Sequence, residues 1–242
     1  MKARITGTDI RERLDVVQEN IQGSLERGGR AGEPVRVLVA TKYYVPEQLE
    51  ALVEAGVGLV GENRAEDLAE KQEVFGETFE WHFIGHLQRR KAKVVVPRVT
   101  LVHSVDSTRL VEEISRRAPE GGADVLVQVN VADEASKYGV PEGGVEALLE
   151  EAAGSGGRVR VRGLMTIAPL VEDPDEVRHV FAKLRMIRDR LRESWSPHFD
   201  LSELSMGMSG DYGVAVEEGA TVVRIGRMLI EEDGPVRRQD GS

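Results

Sequence analysis

The chain has 242 residues, 40% of them apolar and 31% charged, with a formal net charge of −10 and no cysteine. That length holds one large domain or two small ones, with enough apolar residues for a substantial core. The composition excludes disulfides, thiolate metal sites and cysteine nucleophiles, argues against a general nucleic-acid footprint, and fits a reducing, cytoplasmic setting.

The opening residues 1–20 are polar and charged and read as neither signal peptide nor membrane anchor. No apolar stretch approaches the roughly 20 residues that span a bilayer. Ile10, Leu14, Val17, Ile21 and Leu25 recur at helical spacing and predict a helix over 9–27, ended by Gly28-Gly29. Short apolar runs then alternate with helical patterns. The runs at 35–41, 58–61, 81–84, 101–104, 124–130, 160–167, 203–208 and 222–225 predict strands. The intervening patterns predict helices over 46–55, 65–74, 108–118, 145–153 and 175–193, the third with capping candidates at Asp106-Ser107. Arg89, Arg90, Lys91 and Lys93 form a local basic patch, read as the solvated start of a helix.

Eight strands alternating with helices over this length predict an α/β fold, a single (β/α)8 barrel with an extra N-terminal helix. An open doubly wound sheet is the alternative, and no strand–GxGxxG–helix fingerprint supports a dinucleotide fold. One unit is expected over 1–230, followed by a polar tail over 231–242.

Lys42 closes the first apolar run, Val-Arg-Val-Leu-Val-Ala-Thr-Lys. A lysine at the tip of a buried strand either directs its amine toward the cleft there or is an ordinary solvated strand-end lysine, the commoner case on this segment alone. A partly desolvated amine loses proton affinity and becomes a nucleophile toward carbonyls. In a barrel of this kind the site lies at the C-terminal strand ends, with phosphate often held by the loops after strands seven and eight. Those loops carry Ser-Met-Gly-Met-Ser-Gly-Asp at 205–211 and Arg-Ile-Gly-Arg at 224–227. They supply hydroxyls, glycine amides and guanidinium groups suited to an anion. An imine-forming lysine facing a phosphate cradle describes a pocket for pyridoxal 5′-phosphate. His82, His86 and His103 lack metal-ligand spacing, and His82 reads as a packed or hydrogen-bonded core residue.

The motifs that carry a resemblance are Ala-Thr-Lys at 40–42, Gly-Glu-Asn at 61–63, Trp-His-Phe-Ile-Gly-His-Leu-Gln at 81–88, His-Ser-Val-Asp at 103–106 and Gln-Val-Asn at 128–130. With them stand Lys-Tyr-Gly at 137–139, Arg-Gly-Leu-Met-Thr-Ile-Ala at 162–168, Leu-Ser-Met-Gly-Met-Ser at 204–209 and Val-Arg-Ile-Gly at 223–226. Together they resemble the pyridoxal phosphate homeostasis protein family, once called proline synthase co-transcribed homologues. The resemblance implies a barrel like the N-terminal domain of alanine racemase, with the cofactor held on Lys42 as an aldimine. It places Arg224 against the pyridine nitrogen and Ser209, Gly226 and the backbone at Arg227 around the phosphate. Asn63 would lie beside the ring and Met206 close by, with Lys137 a second lysine able to take part in transfer.

The chain departs from the family pattern after Arg-Ile-Gly, where Arg227 replaces a small hydroxyl residue and the usual Phe-Gly is absent. The function implied is a non-enzymatic carrier and buffer of pyridoxal phosphate that supplies apo-enzymes and limits free aldehyde. The alternative is a fold-type-III racemase or decarboxylase. Racemization needs acid–base groups on both faces of the substrate carbon. Alanine racemase takes one of them from a second domain and its partner subunit, and no such domain is expected here. No catalytic or metal-binding residues are assigned, no nucleic-acid or membrane partner is expected, and the expected state is a monomer.

Overall fold

A computed structural model describes residues 5–132 and 138–230. Eight parallel strands close into a barrel in sequence order. They are β1 (Arg36–Ala40), β2 (Leu59–Glu62), β3 (Glu80–Phe83), β4 (Leu101–Val105), β5 (Ala123–Gln128), β6 (Val159–Met165), β7 (Glu203–Met208) and β8 (Val222–Ile225). Closure runs through β1 and β8, with Leu38 opposite Arg224 and Val39 opposite Ile225. All eight expected runs are strands, and β7 and β8 have the expected bounds. The runs expected to reach residues 130 and 167 stop at Gln128 and Met165, where the backbone leaves the sheet to form the mouth.

The helices are α1 (Gly7–Arg27), α2 (Pro46–Glu54), α3 (Ala65–Phe75), α4 (Ala92–Val95), α5 (Thr108–Arg117), α6 (Val145–Gly154), α7 (Arg178–Trp195) and α8 (Tyr212–Glu217). A reciprocal cap starts α1. Thr6 Oγ1 accepts from the Asp9 amide at 3.2 Å, and Asp9 Oδ2 accepts from the Thr6 amide at 2.8 Å. Ser107 precedes α5 as expected, but its side chain makes no capping bond to that helix. Helices α4 and α8 are too short to leave a periodic signature. The basic patch spans a 3-10 turn, Arg89–Lys91, and the start of α4.

Strand alternation separates two layers. Val39, Val60, Phe83, Val102, Val125, Leu164, Met206 and Ile225 belong to the large cluster shared with the helices. The barrel interior carries Leu38, Ala40, Leu59, Ile84 and Val222 on one side and Leu101, Leu126 and Met165 on another. Gly61 also faces inward: a Cβ there would lie 2.4 Å from Leu38 Cδ2 and 3.1 Å from Ile84 Cδ1. Other interior positions hold His82, His103, Ser205 and Arg224, all buried.

Candidate functional site

The ends of β7, β8, β1 and β2 are neighbours on the C-terminal rim. They bring together Ser209, the Gly226–Arg227 turn, Lys42 and Asn63. Lys42 is exposed and sits in a 3-10 turn, Thr41–Tyr43, directly after β1. Asn63 follows β2 and is half-buried, and its Oδ1 is one of the few buried side-chain atoms with no hydrogen-bond partner among the described residues.

The loop after β7 is drawn tight. Met208 N donates to Asp211 Oδ1 at 2.6 Å, and Asp211 N donates back to the Met208 carbonyl at 3.0 Å, enclosing Ser209 and Gly210. Gly207 makes the loop possible with φ of +90° and with α8 pressed against it, since a Cβ would lie 2.6 Å from that of Ala215. Gly226 is buried and accepts from the Leu229 amide at 3.0 Å, while Arg227 opens the following turn and is exposed. The side chain of Met206 lies in the outer layer against the helices, so at the mouth only its backbone is available. Lys137 lies outside the described residues.

Arg224 rises from β8 into the barrel, 6% exposed. Its Nη1 donates to Ser205 Oγ at 2.7 Å and its Nη2 to the Thr166 carbonyl at 2.9 Å. Burial lowers its pKa to about 10, partly opposed by the carboxylate of Asp211, so the guanidinium stays charged at neutral pH. Burial in turn raises the pKa of Asp211. Both guanidinium contacts are neutral groups.

Beneath Lys42 lies a buried ion pair that sequence reasoning missed. Lys71 Nζ of α3 donates to Glu62 Oε2 at 2.6 Å and to the Thr41 carbonyl at 2.8 Å. Glu62 also accepts from Thr41 Oγ1 at 2.8 Å and, through Oε1, from the Asn63 amide at 2.8 Å. The pair therefore ties down the backbones that carry Lys42 and Asn63. A lysine in an amphipathic helix gives no sequence signal of such a role. Across the mouth, His86 stacks on Tyr138 with centroids 4.0 Å apart, and its Nδ1 lies 3.5 Å from Asp106 Oδ2. His82 and His103 bond to each other at 2.9 Å inside the barrel, which makes His82 a hydrogen-bonded core residue as expected.

The donor set fits pyridoxal 5′-phosphate. A buried cation, an amide oxygen with no hydrogen-bond partner among the described residues, glycine amides and a lysine amine belong to residues at neighbouring strand ends of one rim, and each has a counterpart on a phosphorylated aldehyde of a pyridine. When bound, that molecule supplies an aldehyde that a lysine amine captures reversibly with loss of water. Arg224 would face the ring, Ser209 and Gly226 would hold the phosphate, and Lys42 would bear the covalent link.

The sequence profile described as alanine racemase, N-terminal domain, matches residues 14–232. A pyridoxal phosphate homeostasis protein of Aquifex aeolicus is 42% identical over 224 residues, covering 91% of this chain and 97% of that one. The protein of the same name from Escherichia coli is 31% identical over 227 residues, covering 91% and 95%. Among solved structures, PipY of Synechococcus elongatus with PLP bound superposes with a TM-score of 0.78 at 31% identity, covering 92% of this chain and all of that one. A lysine/ornithine decarboxylase of Vibrio vulnificus, 14% identical with a TM-score of 0.68, shares the fold over 62% of its length. The chain thus belongs to the alanine racemase N-terminal-domain family, within the branch of the pyridoxal phosphate homeostasis proteins.

Proposed function

We propose that this protein binds pyridoxal 5′-phosphate through Lys42 and serves as an intracellular carrier and buffer of the cofactor, without catalysing a reaction of its own. Arg224 carries the reading. It is a buried guanidinium whose two hydrogen-bond partners are neutral, with the Asp211 carboxylate acting on it only through space, on the strand that pairs with β1, which Lys42 follows. An arginine stays charged at any working pH, so a pyridine nitrogen facing it tends to remain unprotonated. The ring is then a poorer electron sink, which discourages carbanion chemistry while leaving capture of the aldehyde reversible. Such a site stores a reactive aldehyde and releases it to apo-enzymes. The homeostasis proteins and PLP-bound PipY are its relatives in sequence and fold. We place it as a cytoplasmic monomer without nucleic-acid or membrane partners; among the described residues no helix is long and apolar enough to cross a membrane.

Purified protein mixed with pyridoxal phosphate is expected to absorb near the visible–ultraviolet boundary, and borohydride is expected to fix the label on Lys42. Lys42→Ala should abolish that label; a label retained on another lysine would overturn the assignment. Incubation with D- and L-amino acids should give no appreciable turnover, and robust racemization would replace the carrier by an enzyme.

A further inference from the structure

Arg224 is the upper end of a hydrogen-bonded column that crosses the barrel interior. Its Nη1 donates to Ser205 Oγ at 2.7 Å, and Ser205 Oγ lies 2.9 Å from His103 Nδ1. His103 Nε2 lies 2.9 Å from His82 Nδ1, and His82 Nε2 lies 2.9 Å from Glu80 Oε1. Glu80 Oε2 accepts from Arg36 Nη2 at 2.6 Å. Arg36 and Glu80 open β1 and β3, so this end lies at the N-terminal face, opposite the mouth. There both line a cavity of about 1170 Å³ beside α1.

The column can be protonated in one way only. Arginine donates and never accepts, and an ionised carboxylate accepts and never donates. Burial opposes a charge on either imidazole. With both rings neutral, His82 must donate a hydrogen bond from its Nε2–H to Glu80. Its Nδ1 then accepts from His103 Nε2–H, and His103 Nδ1 accepts from the Ser205 hydroxyl. Ser205 is left with its lone pairs facing Arg224. The reverse order would set a bare imidazole nitrogen against the Glu80 carboxylate. Each link polarises the next in the same sense, which strengthens Ser205 as an acceptor.

The geometry points to Glu80, His82, His103 and Ser205 as a one-way hydrogen-bond relay, with both histidines neutral and protonated on Nε2, that positions Arg224 for the cofactor from the far end of the barrel. These are positioning residues acting through Arg224. That Arg224 meets the cofactor rests on the carrier reading, whereas the tautomers and the restraint on the guanidinium do not.

Nitrogen-15 NMR of the full chain without cofactor tests the relay. Both rings should be neutral and carry the proton on Nε2. In a chain where Arg36→Met has removed the second donor to Glu80, Glu80→Gln keeps an acceptor oxygen for His82 Nε2–H and should leave the tautomers in place. In the same Arg36→Met background, Glu80→Lys substitutes a donor that faces no cation, and should switch His82 and, through it, His103 to the Nδ1–H form. Glu80 and Arg36 are part-exposed, so the substitutions leave the buried core unaltered, and circular dichroism checks that each variant is folded. Ser205→Ala should speed exchange of the Arg224 Nη1 protons at least tenfold, roughly the worth of one charged hydrogen bond. A His103 that is protonated, carries its proton on Nδ1 in the unaltered protein, or fails to switch in Glu80→Lys would overturn the relay. In the loaded protein, Glu80→Lys should weaken pyridoxal phosphate binding by about tenfold and Glu80→Gln by less than about twofold. Equal affinity in both variants would overturn the positioning role. If the unaltered protein takes up no pyridoxal phosphate, the carrier reading fails, and the relay stands or falls on the NMR alone.

Discussion

Among the described residues two cationic side chains, Lys71 and Arg224, are buried, and they are treated in opposite ways. Lys71 lies in the outer layer against Glu62 at 2.6 Å, with side chains 6% and 0% exposed. Every oxygen of that carboxylate is engaged by Lys71, Thr41 or the Asn63 amide. Arg224 lies in the inner layer and donates to a hydroxyl and a carbonyl; among the described residues no carboxylate hydrogen-bonds to it, and Asp211 acts on it only through space. A buried charge costs several kcal/mol unless a partner offsets it. The outer pair is closed on itself and therefore structural. The inner cation keeps an unspent charge at the mouth, which marks it for a ligand.

Cutting the outer pair should give the largest effect. Lys71→Ala strands the carboxylate of Glu62 in an apolar layer and should cost about 3–5 kcal/mol of stability, read from urea unfolding. The double variant Lys71→Met with Glu62→Gln should recover much of the loss. A single variant as stable as the parent would erase the distinction between the two cations.

The inner cation should show the reverse profile. Arg224→Met should change stability by less than about 1.5 kcal/mol, because a desolvated charge leaves with its two hydrogen bonds. Affinity for pyridoxal phosphate, titrated by absorbance, should nonetheless fall about tenfold or more. A large loss of stability with unaltered affinity would make Arg224 structural as well.

The smallest effect is in the acid limb. Burial holds His82 and His103 below their ordinary pKa of 6.5, so below that pH the unfolded chain binds more protons and stability declines. Glu80 is depressed from 4.5 to about 2, chiefly by its bond to His82, and burial works against the shift. Its contribution is complete above pH 4.5 and disappears as pH falls toward 2. Urea midpoints measured against pH should fall in both windows, and Glu80→Gln should flatten only the lower one.

Much of the frame was legible beforehand. Parallel strands covered on both sides must be continuous apolar runs, so each of the eight announced itself. Lys42, Asn63, Ser209, Gly226 and Arg227 follow strands directly, and the fold class alone assigns such positions to the rim. The side chain of Met206 faces away from the barrel interior because the pleat alternates, and one residue of phase decides that. The relay was not legible at all. Ser205 and His103 are 102 positions apart in the chain, and nothing about either residue type names the other. Lys71 was hidden likewise, since amphipathic helices carry lysines on solvated faces far more often than in buried pairs.

The sequence by itself determined the strand count, the barrel and the residues at its mouth, because local patterning and short connections leave few alternatives. Only the tertiary structure decided which polar residues share the interior. Barrel closure brings β3, β4, β7 and β8 around a common axis, and contacts across that axis follow from register and pleat rather than from nearness along the chain.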